Sequence, residues 1–196
     1  MPNLGFTYIS PEVGELDKID DVATDGLSGT ANSLSYRLAV IERHLHSSGR
    51  WFGAAVTPTA THFADRIGVA AEKPVAFVVD SGNKTWGDWV QLLGSTDTPT
   101  ITGKTHFDPH EFVISAAERA GVYFIQIGRG ASGAAALSAG TYTELVLDAT
   151  DKAGGAIVNC QTGRAPAGSL IWCRVMTPAF DTGTLSFYLG LHEYEG

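Results

Sequence analysis

The sequence predicts an all-β protein, a jelly-roll-like β-sandwich of about eight strands, preceded by an extended N-terminal arm and one amphipathic α-helix. Three observations carry this expectation. From Trp51 onward, short apolar runs bounded by Gly, Asp, Asn, Thr and Pro recur at intervals of roughly 10 to 15 residues. The last run alternates: Leu185, Phe187, Leu189 and Leu191 fall on one side, and Ser186, Tyr188, Gly190, His192 and Tyr194 on the other. A sustained helical period occurs between Ala31 and Ser48, and no second helix of comparable quality follows it.

Residues 1–30 are rich in Gly, Asp, Thr and Pro, and their few apolar residues, Leu4, Phe6, Tyr8 and Ile9, keep no period. They read as an extended arm. In the next stretch, 31–49, Ala31, Leu34, Leu38, Ile41 and Leu45 recur at alternating spacings of three and four. Thr30 or Asn32 can cap the start and Gly49 can close the end. Written as heptads, Ala31, Leu38 and Leu45 take position a, Leu34 and Ile41 position d, Arg37 position g and Glu42 the following e. Opposite charges at g and e are what neighbouring parallel helices use, and Leu at a with Ile at d leans toward three or four strands. The same stripe could equally lie on the subunit's own core. Two heptads are marginal alone, so something else must bring such helices together.

The third segment, 50–196, is read as the sandwich. Its best strand runs are Val75–Asp80, Trp86–Gly94, Glu111–Ala117, Val122–Gly128, Tyr142–Asp148, Gly155–Gln161, Ser169–Met176 and Thr184–Tyr194. Eight strands over this length suit a two-sheet sandwich. Val75–Val79 and Val122–Ile127 are apolar on both faces and are expected centrally or beneath an interface. In the last strand the side carrying Tyr188, His192 and Tyr194 mixes rings with Gly and hydroxyls, which suits a neighbouring subunit better than open water.

Charge excludes other partners. Lys and Arg total 13 against 21 Asp and Glu, giving a formal net charge of −8 with no basic cluster, so nucleic acid has no counterion-release drive toward this chain. No apolar run approaches the ~20 residues of a membrane span, and Met1-Pro2-Asn3 opens no signal-peptide pattern. A soluble, non-exported protein with no membrane partner is expected. The two cysteines, Cys160 and Cys173, sit in strand-like apolar surroundings and read as buried free thiols.

Motifs for chemistry are sparse. His106, Asp108 and His110 alternate, and on an extended segment could share a face toward a metal. Pro109 argues against an unbroken ladder there, and Glu111 falls on the opposite face, so no metal site is assigned. His44 and His46 lie on different helix faces. Gly128, Gly130 and Gly133 fall at Gly-x-Gly-x-x-Gly spacing, but the stretch leads into Ala-Ala-Ala-Leu without the Lys-Ser/Thr of a P-loop and reads as a surface loop. No nucleophile elbow is present, and carboxylates such as Asp80, Asp97, Glu144 and Asp148 have turn and cap roles available. No catalytic or cofactor residue is assigned, and no enzyme activity is expected. Trp86 and Trp89 could form a sugar-stacking platform; the structural reading places one in the core and one beside the turn at Asp80–Lys84.

Several stretches together carry a family resemblance: Ser33–Ser48, Trp86–Pro99, Thr105–His110, Tyr123–Ile127 and Phe187–Gly196. With them the chain, over about residues 31–196, resembles small virion structural proteins of tailed bacteriophages, of the capsid decoration, cement or head-fibre type. The resemblance implies a role without a reaction: a β-sandwich trimer in the virion, assembled in the host cytoplasm and seated on the major capsid protein or another virion protein. The arm or helix would make the attachment. The oligomer interface would then include Leu34, Leu38, Ile41, Leu45, Arg37, Glu42, Tyr188, His192 and Tyr194. The alternative function is a carbohydrate-binding host-attachment tip using Trp86 and Trp89.

Overall fold

The computed structural model describes residues 50–97, 104–150, 156–179 and 181–195. The arm and the heptad helix, with Leu34, Arg37, Leu38, Ile41, Glu42 and Leu45, lie outside the described residues.

Among the described residues, eleven strands and one short helix follow in the order β1 (Arg50–Thr59), β2 (His62–Arg66), β3 (Phe77–Asp80), β4 (Val90–Leu93), β5 (Lys104–Ala117), β6 (Val122–Arg129), α1 (Gly133–Ala139), β7 (Tyr142–Asp148), β8 (Ala156–Asn159), β9 (Ala165–Pro166), β10 (Ile171–Met176) and β11 (Thr184–Glu195). They form two antiparallel sheets. One has β2-β1-β11-β5-β8, with β3 paired to β11 and β9 to β5; the other has β4-β10-β6-β7.

The pairing is nested. The first strand pairs with the last (β1 with β11), then β4 with β10, β5 with β8 and β6 with β7. A long hairpin rolled over on itself produces this order, with β11·β5 and β10·β6 closing the two sheets. That is jelly-roll topology, as the strand spacing predicts. The extra strands β2, β3 and β9 extend its first sheet.

The inward residues of both sheets make one core. On β11, Leu185, Phe187 and Leu189 are wholly buried and Leu191 is nearly so. Phe112 meets Phe187 edge-on at 5.0 Å between centroids, and Phe77 adds a tilted contact with Phe187 at 5.9 Å. From the second sheet come Tyr123, Ile125, Ile127, Ile171, Cys173 and Val175. Cys160 and Cys173 are buried free thiols.

Four expectations need correction. Pro109 does not end a strand: β5 runs from Lys104 through it to Ala117, because Pro109 sits where pairing passes from β9 to β8 and the register with β11 shifts between Gly190 and Leu191. A bulge is one of the sites where a sheet tolerates proline. The same shift puts Glu111 on the side of His110, since both are half-buried between inward Pro109 and Phe112. Next, β6 is central in its sheet as predicted, but β3 is not: it pairs with the start of β11 and leaves Val78 54% exposed, so of the two placements expected for this run the central one falls and the one beneath an interface is untouched. Last, Gly128–Gly133 is not a plain surface loop. Gly128 and Arg129 are the last two residues of β6, and Ser132 caps α1 by accepting the Ala135 amide, while left-handed Gly140 closes it.

Candidate functional site

Two faces bear the predicted residues. The first is the outer face of the large sheet. Tyr188, His192 and Tyr194 are all half-buried there, within a single chain. Glycines on neighbouring strands explain part of this burial. The Tyr188 ring lies over Gly53, and the Trp51 ring lies over Gly190, each within about 3 Å of where a β-carbon would stand. The rings thus lie flat on the sheet. A transverse row remains apolar: Ile157 pairs with Val113, and Val113 with Tyr188. Ile157 is 61% exposed at the end of that row, and Val78 lies nearby, paired with Ser186.

Farther along the same face, β5 and β11 bring Asp108, His110 and His192 together, with one ligand-type atom from each within 4.8 Å of the others. Asp108 is directly opposite His192 in the ladder, and the bulge swings His110 onto the His192 ring, stacked at 3.7 Å between centroids and 26° between planes. The Tyr194 hydroxyl donates to Asp108 Oδ2 at 2.6 Å, and the Arg164 guanidinium lies 3.9 Å from the centre of the Tyr194 ring. Burial first, and then the bond to Asp108, raise the Tyr194 phenol above its usual value. His106 does not join them; its Nδ1 lies 2.9 Å from the Thr105 hydroxyl. The sequence had suggested His106, Asp108 and His110. The member it missed, His192, comes from a strand paired only in the fold.

The second face is the outer side of the small sheet. Trp86 and Trp89 are both half-buried, and neither enters the core, contrary to the expectation that one would. Both rings pack instead against Arg174. Its guanidinium lies 5.0 Å from the Trp86 ring centre and 4.5 Å from that of Trp89, so the indoles hold a cation between them. Arg174 Nε donates to Gln126 Oε1 at 2.8 Å, and Gln126 Nε2 donates to Glu144 Oε2 at 2.7 Å. This network spans β10, β6 and β7.

Beside it, an open cleft of about 190 Å³ lies at one end of the sandwich, lined by Arg129, Thr141, Tyr142, Thr143 and Thr162 among others. Its floor is ordered by hydroxyls: Thr162 Oγ1 donates to the Pro109 carbonyl at 2.9 Å, and Thr143 Oγ1 to that of Gln161 at 3.1 Å. A further ionic contact, in which only Asp97 is buried, links the β1–β2 hairpin to the turn after β4. His62 lies 2.6 Å from Asp65 and 2.8 Å from the fully buried Asp97. Asp97 also accepts the Gly94 amide. Burial pushes the Asp97 carboxyl up, and the amide and His62 oppose that.

No protein-family model matches the chain. No curated protein matches it either. Among solved structures, one described as "Crystal structure of PirA" is similar over 65% of this chain and 100% of that chain, at 11% identity and a TM-score of 0.31.

Proposed function

We propose that this protein is a non-enzymatic structural component of a virion, a capsid decoration or cement protein that acts as a homo-oligomer, a trimer, seated on the major capsid protein or another virion protein. The observation that carries the reading is the apolar row Ile157–Val113–Tyr188 across the outer face of the large sheet, with Val78 beside it. Ile157 and Val78 are more than half exposed in the single chain. Contiguous apolar surface of this kind gains free energy by being covered, and aromatic rings beside apolar side chains are enriched at interface centres. The sequence resemblance supports the same role. Three copies would multiply individually modest contacts to the shell through effective concentration.

Light scattering on the purified chain tests the assembly. The expected mass is three times the 20.7 kDa of one chain, and a clean monomer at micromolar concentration overturns the reading. Ile157→Asp and Val78→Asp probe the face itself: because both side chains are exposed, stability should change by about 0.5 kcal/mol or less, while assembly is lost. Co-sedimentation with empty capsid shells tests the docking partner.

A carbohydrate-binding host-attachment role is the second reading, and the end cleft favours it, with its Tyr142 ring and hydroxyl-bearing floor. Glycan-array binding that disappears in Tyr142→Ala would promote it above the first. Trp86 and Trp89 serve it less well than the sequence suggested, because Arg174 occupies the space between them.

A further inference from the structure

We propose that Asp108, His110 and His192 form a binding site for one divalent first-row transition cation of the Zn²⁺ type on the outer face of the large sheet. This goes beyond the virion role and does not depend on it. The donor set is two imidazoles and one carboxylate, a combination that suits Zn²⁺ and its neighbours and not the all-oxygen preference of Mg²⁺ or Ca²⁺. The three donor atoms lie within 4.8 Å of one another. Ligands bound at about 2.0–2.2 Å in a tetrahedron stand about 3.5 Å apart, so the donors must close by about 1 Å, and the stacked His110 and His192 rings must turn apart for both in-plane lone pairs to meet one ion.

The surroundings point the same way. Asp108 Oδ1 is buried without a hydrogen-bond partner, and at 3.9 Å it is beyond hydrogen-bond reach of His192 Nδ1. A buried carboxylate oxygen left in this way is costly, and a cation between it and the two rings would satisfy it. The other oxygen, Oδ2, is held by the Tyr194 hydroxyl, which is itself fixed under Arg164. An oriented carboxylate with a second hydrogen-bonding shell is how proteins aim metal ligands. The backbone contributes too: alternation along β5 puts His110 on the side of Asp108, and the bulge leaves it as the extra, unpaired residue of the ladder, against the His192 ring. Three protein ligands leave a coordination position for water or for a group from a docked partner.

The test is calorimetric titration of the full, metal-stripped chain with ZnCl₂, with MgCl₂ as the comparison. One equivalent of Zn²⁺ should bind, and Mg²⁺ should not compete. Asp108→Asn, His110→Gln and His192→Gln should each weaken binding ten-fold or more, whereas His106→Gln and the His44→Gln/His46→Gln pair should leave it unchanged. No saturable Zn²⁺ binding, or binding that survives His110→Gln and His192→Gln, overturns the proposal. If a variant loses its β-structure, the wild type decides: Co²⁺ should give visible d–d absorption and paramagnetically shifted ring protons from two histidines, and their absence overturns it equally.

Discussion

Trp89 fills the space that a side chain at Gly133 would need: a β-carbon at position 133 would fall 2.1 Å from both Cγ and Cδ2 of the indole. The first residue of α1 is therefore a glycine for steric reasons, and the helix is seated on the ring. Gly133→Ala should displace Trp89 and cost about 1–3 kcal/mol, the range for overpacking. Gly140→Ala is the comparison. There the space is open but φ is 66°, so the cost is that of a left-handed backbone alone, about 1 kcal/mol. Urea midpoints with an unchanged slope would check both.

The latch around His62 makes stability depend on pH. The hydrogen bond to Asp65 is the main cause that raises the His62 pKa above its ordinary 6.5, with Asp97 adding to it and burial opposing. A histidine that holds its proton more tightly when folded contributes its full stabilisation below the unfolded value, and loses it as pH rises through the folded one. Stability should therefore fall above about pH 6.5. His62→Gln should remove that fall, and be less stable than wild type by about 1 kcal/mol at pH 6, a figure held low because the ring is 40% exposed. Denaturant midpoints of both proteins from pH 5 to 9 would check this, and parallel curves would refute it.

Local periodicity made the sandwich legible. The alternation in Thr184–Tyr194 places Leu185, Phe187, Leu189 and Leu191 in the core, and Tyr142–Asp148 has the bounds expected of it. What escaped depends on partners distant in sequence. β1 and β2 hold few strict alternations, and β9 has two residues, so pairing and not pattern defines them. α1 has seven residues and opens on glycine, below the length at which periodicity speaks. His192 joins Asp108 only because β11 pairs β5, and Arg174 reaches Trp86 and Trp89 only because β10 pairs β4. No spacing along the chain records either meeting.

The two thiols should be inert in the folded protein. Burial, helped by Asp108 and Glu111, pushes the Cys160 thiol up to about 12, and complete burial raises that of Cys173 further. Thiolate, not thiol, is the reactive form. A disulfide reagent at pH 8 should thus label neither residue in native buffer, and label both with the unfolding rate once urea is added. Rapid labelling of Cys160 without urea would contradict the burial of that strand end.

Arg174 should be the most costly single truncation on the outer side of the small sheet. Arg174→Ala removes two ring contacts of about 0.5–1 kcal/mol each. It also leaves Gln126 Oε1 without its donor at a residue only 4% exposed, a further loss of about 1 kcal/mol. The sum is about 2–3 kcal/mol. Arg174→Lys keeps the charge but neither the plane that stacks between indoles nor the Nε donor, so it should recover less than half of the loss. Pairing Arg174→Ala with Trp86→Ala in a double-mutant cycle should give a coupling of about 0.5–1 kcal/mol. Strict additivity would mean that the guanidinium and the indole are neighbours without being partners, and would reopen Trp86 as a surface for stacking a ligand.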